Sequence, residues 1–158
     1  MSALLADRNR LEAALREELA AQRELLELLR AQESAVIART PDALVEVTSK
    51  IEAHVSSASA RRARREPIIR RIAMELRVAP SALTLSSLCE RLGEDGSRLS
   101  ELRLELREAT SRVVRQNRRV SALVGLHRRI NQEVLELVLA DDGMNPFNGA
   151  GALVDAEV

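Results

Sequence analysis

The sequence predicts an all-α fold, an elongated antiparallel helical hairpin or bundle of three long helices and one short helix. Of its 158 residues 46% are hydrophobic and 30% charged, the composition of long helices and coiled coils. Apolar residues recur at spacings of three and four along most of the chain. With 6 glycines, 4 prolines and 1% aromatic residues, the chain lacks the turns and β-formers of a sandwich or barrel. Residues 1–140 are expected to form the helical domain, and residues 141–158 a flexible, disordered tail.

The first two helices are predicted on either side of a break at Thr40 and Pro41. The apolar pattern predicts a helix from about residue 3 to residue 38. Thr40 is a suitable N-cap and Pro41 a suitable first helical residue, so a second helix begins there. Pro67 lies inside this second helix and predicts a kink, or two collinear helices.

A short helix and a long helix are predicted after residue 80. Thr84 is the expected N-cap of the short helix, Leu83 and Leu88 are spaced for a hydrophobic staple, and Gly93 ends the helix. The long helix is predicted from Ser97 to Ala140 by a regular seam with spacings of three and four. The seam consists of Leu99, Leu102, Leu106, Ala109, Val113, Gln116, Val120, Leu123, His127, Ile130, Val134 and Leu137.

Charge and cysteine content limit the function and location. Lys+Arg and Asp+Glu both number 24, which argues against a general nucleic-acid binder. Cys89 is the single cysteine, so neither an intramolecular disulfide nor a cysteine metal cluster can form, and a lone thiol suits a reducing compartment. No apolar run approaches about 20 residues, and residues 1–10 lack the apolar core of a signal peptide. We therefore expect a cytoplasmic protein without membrane insertion and without a nucleic-acid partner.

No residue pattern indicates catalysis. His127 lies on the seam, where a polar residue that sets helix register is the favoured interpretation. His54 has no ligand cluster around it, and Cys89 is interpreted as a small buried hydrophobe. The sequence contains no glycine-rich phosphate loop and no distinct carboxylate pair. We expect neither an enzyme nor a metal or other cofactor.

A basic run lies in the middle of the second helix. A solvated helix face, or pairing with acidic residues such as Glu17 and Glu18, is favoured over contact with RNA or an acidic partner. No aromatic residue is interleaved for base stacking, which argues against RNA. The run consists of Arg61, Arg62, Arg64, Arg65, Arg70 and Arg71.

The C-terminal half of the last helix is apolar over more than half of its circumference. A second stripe that includes Val124, Leu126, Leu135 and Val138 lies beside the seam. Such a helix is either surrounded by its own bundle or recruits a partner helix, and the residues leave both alternatives open. Phe147, the sole aromatic residue, falls in the tail and suggests a short docking motif.

Four stretches look like motifs that occur together in one family. Residues 60–76 are similar to an Arg-rich segment followed by an apolar one, and residues 81–88 to a short linker helix. Residues 115–124 are similar to an Asn-containing start of the C-terminal half of the last helix, although Val120 stands where many members place a second Asn. Phe147–Gly151 is similar to a Tyr-x-x-x-Gly element in which Phe replaces Tyr. The chain thus resembles the FlgN-type flagellar export chaperones.

This resemblance implies a cytoplasmic chaperone of type III flagellar export. Such chaperones bind the C-terminal amphipathic helix of the hook–filament junction (hook-associated) proteins, prevent premature assembly and deliver them to the export gate. Gate docking maps to Phe147, Asn148 and Gly151. Client binding maps to Leu123, Leu126, Ile130, Val134, Leu135, Leu137 and Val138. The alternative is a coiled-coil structural or scaffold protein that self-associates through the same seam, and a homodimer stays open.

Overall fold

The computed structural model describes residues 2–141, and it describes side chains from Leu4 to Leu139. No residue of this range lies in a strand, and the predicted all-α class with three long helices and one short helix is confirmed. The chain divides into two compact units, residues 1–120 and residues 121–158. The predicted tail, including Phe147, Asn148 and Gly151, lies outside the described residues, and the predicted domain of residues 1–140 stays a prediction. The helices are α1 (Ser2–Ala38), α2 (Pro41–Glu75), α3 (Leu85–Leu92) and α4 (Ser97–Asp141), with 3₁₀ turns at Pro80–Ala82 and Gly93–Gly96.

Helices α1 and α2 form an antiparallel hairpin. The Arg71 side chain near the end of α2 donates to Asp7 near the start of α1, at 2.9 Å. At the other end of the hairpin, Gln32 of α1 donates to Thr48 of α2 at 3.1 Å. Contacts that join the start of one helix to the end of the other define the antiparallel direction.

The first part of α4 runs parallel to α1. Arg23 of α1 forms an ion pair with Glu105 of α4 at 2.9 Å, and further along both helices Glu33 pairs with Arg119. Residues 1–120 therefore form an up-down-up bundle of three helix segments.

Leucine and isoleucine side chains fill the core of this bundle. Ile72 of α2, Leu88 of α3 and Leu99 of α4 are fully buried and meet α1 in one cluster. The small helix α3 thus packs one side chain into the same core as the long helices. The buried members of the cluster are Leu11, Leu15, Leu19, Ile72, Leu88, Leu99 and Leu102.

The break between α1 and α2 lies where it was predicted, but Thr40 acts differently. Thr40 occupies the N-cap position of α2, and Pro41 begins the helix. Its side chain makes no capping hydrogen bond to α2; the hydroxyl donates instead to the Ala35 carbonyl of α1 at 3.4 Å. Thr40 therefore stabilises the end of the preceding helix, where free carbonyl groups need donors.

Helix α2 continues through Pro67. The alternative of two collinear helices is therefore wrong. Pro67 is exposed, so its ring displaces no packed side chain, and the neighbours Ile68 and Ile69 pack against the core. This packing compensates for the backbone hydrogen bond that a proline removes from a helix interior.

The ends of α3 are confirmed as predicted. The Thr84 hydroxyl accepts from the Ser87 backbone N–H, and the Ser87 hydroxyl accepts from the Thr84 backbone N–H, each at 3.1 Å. This reciprocal pair is a capping box. Gly93 ends the helix with a φ of 55°, a backbone conformation that favours glycine.

Candidate functional site

The seam of α4 changes from buried to exposed along the helix. Leu99 is 0% exposed, Leu102 is buried, and Val120 is still only 4% exposed. The later seam residues differ sharply, because Ile130 is 43% and Leu137 71% exposed. One continuous 3–4 pattern therefore contains both core positions and solvent-exposed positions.

Residues 121–139 of α4 carry a broad apolar face. At about 100° per residue, its side chains cover about half of the helix circumference, and at 1.5 Å per residue the face is about 23 Å long. A large contiguous patch of exposed apolar residues commonly marks a protein-binding site. The apolar face consists of Leu123, Val124, Leu126, Ile130, Val134, Leu135, Leu137 and Val138, all exposed by at least 43% except the half-buried Leu123.

All seven residues to which client binding was mapped belong to the apolar face. The structure adds Val124, which is 44% exposed. Two polar residues also lie within the face, His127 and Asn131, separated by four positions and hence on the same side of the helix. Asn131 was missed by sequence reasoning, although its spacing of four from His127 was a usable signal.

Charged side chains border the apolar face on both sides. Helical geometry places Arg128 along one edge and Glu133 along the other. Both residues are exposed, and neither forms an ion pair with another described residue. The borders therefore offer one positive and one negative group to a partner.

The basic run of α2 is paired with acidic residues, as predicted. Arg61 and Arg65 both contact the Glu18 carboxylate, at 3.3 and 2.6 Å, and Arg64 lies 3.8 Å from Glu17. Arg70 pairs with Glu66 within α2 at 3.2 Å, and Arg71 pairs with Asp7 at 2.9 Å. The pairs of Arg61, Arg64, Arg65 and Arg71 join α1 to α2, so most of the run stabilises the hairpin. Arg62 is exposed and forms no ion pair with another described residue.

Two of the carboxylates in these pairs, Asp7 and Glu18, are held in the charged state. The hydrogen bond from Arg71 lowers the pKa of Asp7 and outweighs the effect of burial, with a further contribution from Arg10. Burial would raise the pKa of Glu18, but hydrogen bonds from Gln22, Arg65 and Arg61 together lower it. Both pairs are therefore structural contacts of the bundle.

A polar contact joins α1 to the seam of α4. Gln116 lies on the α4 seam, and its side chain donates to the Glu33 carboxylate of α1. Arg119 pairs with the same carboxylate. Glu33 is close in sequence to the buried Val36, and Gln116 to the buried Val120. The contact joins the two helices with a specific polar pairing.

The histidine of α2 contacts one carboxylate, and the single cysteine lies in α3. The buried His54 side chain places Nδ1 at 3.5 Å from the Glu24 carboxylate, while its Nε2 has no partner among the described residues. Burial raises the pKa of the Cys89 thiol, so the thiolate form is disfavoured. Within residues 2–141, no group of three His, Cys, Asp or Glu side chains is arranged to hold a metal ion.

Comparison with known proteins identifies the family. The profile of the family described as "FlgN protein" matches residues 1–150. The chain belongs to the FlgN family. This confirms the resemblance to the FlgN-type family. No curated protein and no solved structure matches the chain.

Membership of the FlgN family supports a general role as a chaperone of flagellar export. FlgN is a chaperone family, and its members bind flagellar export substrates. Across residues 2–141 of this FlgN chain, no helix combines the length and apolar character needed to cross a membrane. The exposed apolar face of α4 is therefore the leading candidate for substrate binding.

Proposed function

We propose that this FlgN chain is a cytoplasmic type III flagellar export chaperone for hook–filament junction proteins. The apolar face of α4 binds the C-terminal amphipathic helix of the client and prevents it from assembling before export. The observation that carries this proposal is the exposure of seven large apolar side chains between Val124 and Val138 on one helix. An amphipathic client helix that packs there buries both apolar surfaces without any chemical step.

Helix-on-helix packing suits the dimensions of this face. The face is about 23 Å long, which matches about four turns of a client helix. An ordinary protein interface buries about 800 Å² on each partner, and aliphatic side chains at a helix–helix seam supply the burial without catalytic groups. The same interaction would also keep the client helix from polymerising.

Calorimetric titration with C-terminal helix peptides of the junction proteins tests client binding. We expect micromolar or tighter affinity for the full chain and at least a tenfold loss for the triple variant Ile130→Ala, Val134→Ala, Leu137→Ala. Leu104→Ala is the matched control, because Leu104 is 56% exposed on α4 but lies outside the apolar face. Absence of a binding signal for every junction peptide would contradict the proposal.

Delivery to the export gate is assigned to the tail. Phe147, Asn148 and Gly151 are proposed to dock on the gate, with Phe147 as the apolar anchor. Deleting residues 141–158 should leave client affinity unchanged and abolish binding to the purified cytoplasmic domain of the gate. Phe147→Ala should weaken gate binding alone, and an equal loss of both activities would contradict this division.

Self-association through the apolar face is the competing outcome. Sedimentation equilibrium over a wide concentration range measures it directly. A stable homodimer that client peptides cannot dissociate would support a scaffold protein. A monomer, or a dimer that client peptides dissociate, supports the chaperone.

A further inference from the structure

Two polar side chains interrupt the apolar face at its centre. His127 and Asn131 are four residues apart and therefore adjacent on one side of α4. His127 is half-buried and Asn131 is exposed, and neither has a hydrogen-bond partner among the described residues. The neighbours one turn away include Leu123, Val134 and Leu135, so the pair is surrounded by apolar groups.

A wholly apolar client helix would fit this face poorly. Such a helix would cover the imidazole of His127 and the amide of Asn131 and would offer no hydrogen-bond partner to these groups. Burial of a polar group without a hydrogen-bond partner lowers the affinity of a complex about tenfold or more. A polar residue in an apolar helix seam instead selects the partner and register that satisfy it.

The groups available at this position favour a carboxylate as the partner. Asn131 has two amide N–H donors, and the imidazole of His127 has at least one N–H donor in either protonation state. Arg128 lies one turn before Asn131 at the edge of the face and has no acidic partner among the described residues. Residues 121–132, which surround the pair, contain Arg128 and Arg129 and no Asp or Glu, and Glu133 lies along the opposite edge of the face.

We propose that His127 and Asn131 bind an Asp or Glu side chain in the apolar face of the client helix and thereby fix the register of the complex. The inference rests on the proposed client-binding function of α4. A carboxylate accepts hydrogen bonds from both residues and complements Arg128. Clients would then be distinguished from other amphipathic helices by one acidic residue among their apolar positions.

Three synthetic helices test this specificity. They share one amphipathic 20-residue sequence with leucine and isoleucine on the apolar side, and differ only at a central apolar position, which is Leu, Glu or Lys. Affinities are measured by fluorescence anisotropy with the full chain. The wild type is expected to bind the Glu peptide about tenfold more tightly than the Leu peptide, and to bind the Lys peptide most weakly.

Variants of the chain distinguish the specific carboxylate contact from nonspecific hydrophobic binding. His127→Leu/Asn131→Leu should reverse the preference, so that the Leu peptide binds at least tenfold more tightly than the Glu peptide. Asn131→Asp should weaken the Glu peptide at least tenfold. Gln132→Leu is the matched control, because it replaces an amide by leucine outside the apolar face, and it should keep the wild-type preference.

The outcomes distinguish this inference from the proposed function. If the ratio of Glu to Leu affinity is the same in the wild type and in the double leucine variant, the carboxylate contact is refuted while the docking surface stands. If none of the three peptides binds the wild type at about 100 μM, the apolar face is not a helix-docking surface and both proposals fail.

Discussion

Two leucines of the same α4 seam should respond in opposite ways to truncation. Leu99 is 0% exposed and Leu137 is 71% exposed. Leu99→Ala removes packed atoms from the core and should lower the free energy of unfolding by about 2–5 kcal/mol. Leu137→Ala should change this free energy by less than about 0.5 kcal/mol, because most of the side chain already contacts solvent.

Client binding should show the reverse order. Truncation of leucine to alanine removes three carbon groups worth about 0.8 kcal/mol each when buried. Since 71% of Leu137 is still available for burial, the loss on binding is about 1.7 kcal/mol, somewhat more than tenfold in Kd. Leu99→Ala should leave the affinity of the folded chain unchanged.

Urea denaturation followed by far-ultraviolet circular dichroism measures the free energies of unfolding, and calorimetry with a client peptide measures the affinities. The comparison is internally controlled, because residue type, helix and seam are the same for both variants. Equal destabilisation by Leu99→Ala and Leu137→Ala would refute the reasoning. It would mean that the exposed part of the seam is already covered in solution.

Three further predictions concern the backbone and the charged pairs. Gly96→Ala should destabilise the fold by about 1–3 kcal/mol in urea denaturation, because the new Cβ would lie 2.8 Å from the Cys89 carbonyl oxygen. At Gly125 an added Cβ meets no atom within 4 Å, so Gly125→Ala should stabilise the helix locally by about 1 kcal/mol. Slower hydrogen exchange around residue 125 would measure this gain. Thr84→Ala removes the capping box of α3 and should cost about 1 kcal/mol in the same denaturation assay, whereas Thr84→Ser should be nearly neutral. The pKa of Glu18 in the folded chain is lowered from 4.5, so its pairing stabilises the fold above that pH, and this stabilisation is lost as the pH falls. Glu18→Gln should therefore flatten the decrease in unfolding free energy between about pH 5 and pH 3. An unchanged pH dependence would contradict this.

The helices could be predicted closely because their signals are local. Each signal depends on only a few neighbouring residues. These signals are the periodic leucines, Pro41 after Thr40, Thr84 before an apolar residue, and Gly93. The predicted starts at about residues 3, 41 and 97 agree with the structure within one residue. The sequence could not predict that the Thr40 hydroxyl binds Ala35 rather than the new helix, because both partners lie within its reach.

The pairing of the arginines was predictable in kind but not in detail. Glu17 and Glu18 were identifiable as partners of the basic run by charge alone. Asp7, the partner of Arg71, and Glu33, the partner of Arg119 in α4, could not be identified, because these pairs depend on which residues of distant helices come into register. The spacing of Asn131 from His127 was visible in the sequence, but the exposure of the face around this pair was not.

The order of the residues by itself determined the helices, their breaks and the continuous apolar seam of α4, since backbone hydrogen bonding and side-chain periodicity act over a few positions. Only the tertiary structure decided that this seam is buried at Leu99 and Val120 and exposed from Ile130 to Leu137. The physical reason is that a 3–4 spacing specifies which side chains share a face of a helix. Whether that face is removed from water depends on what packs against it, and residues far away in the chain supply that packing.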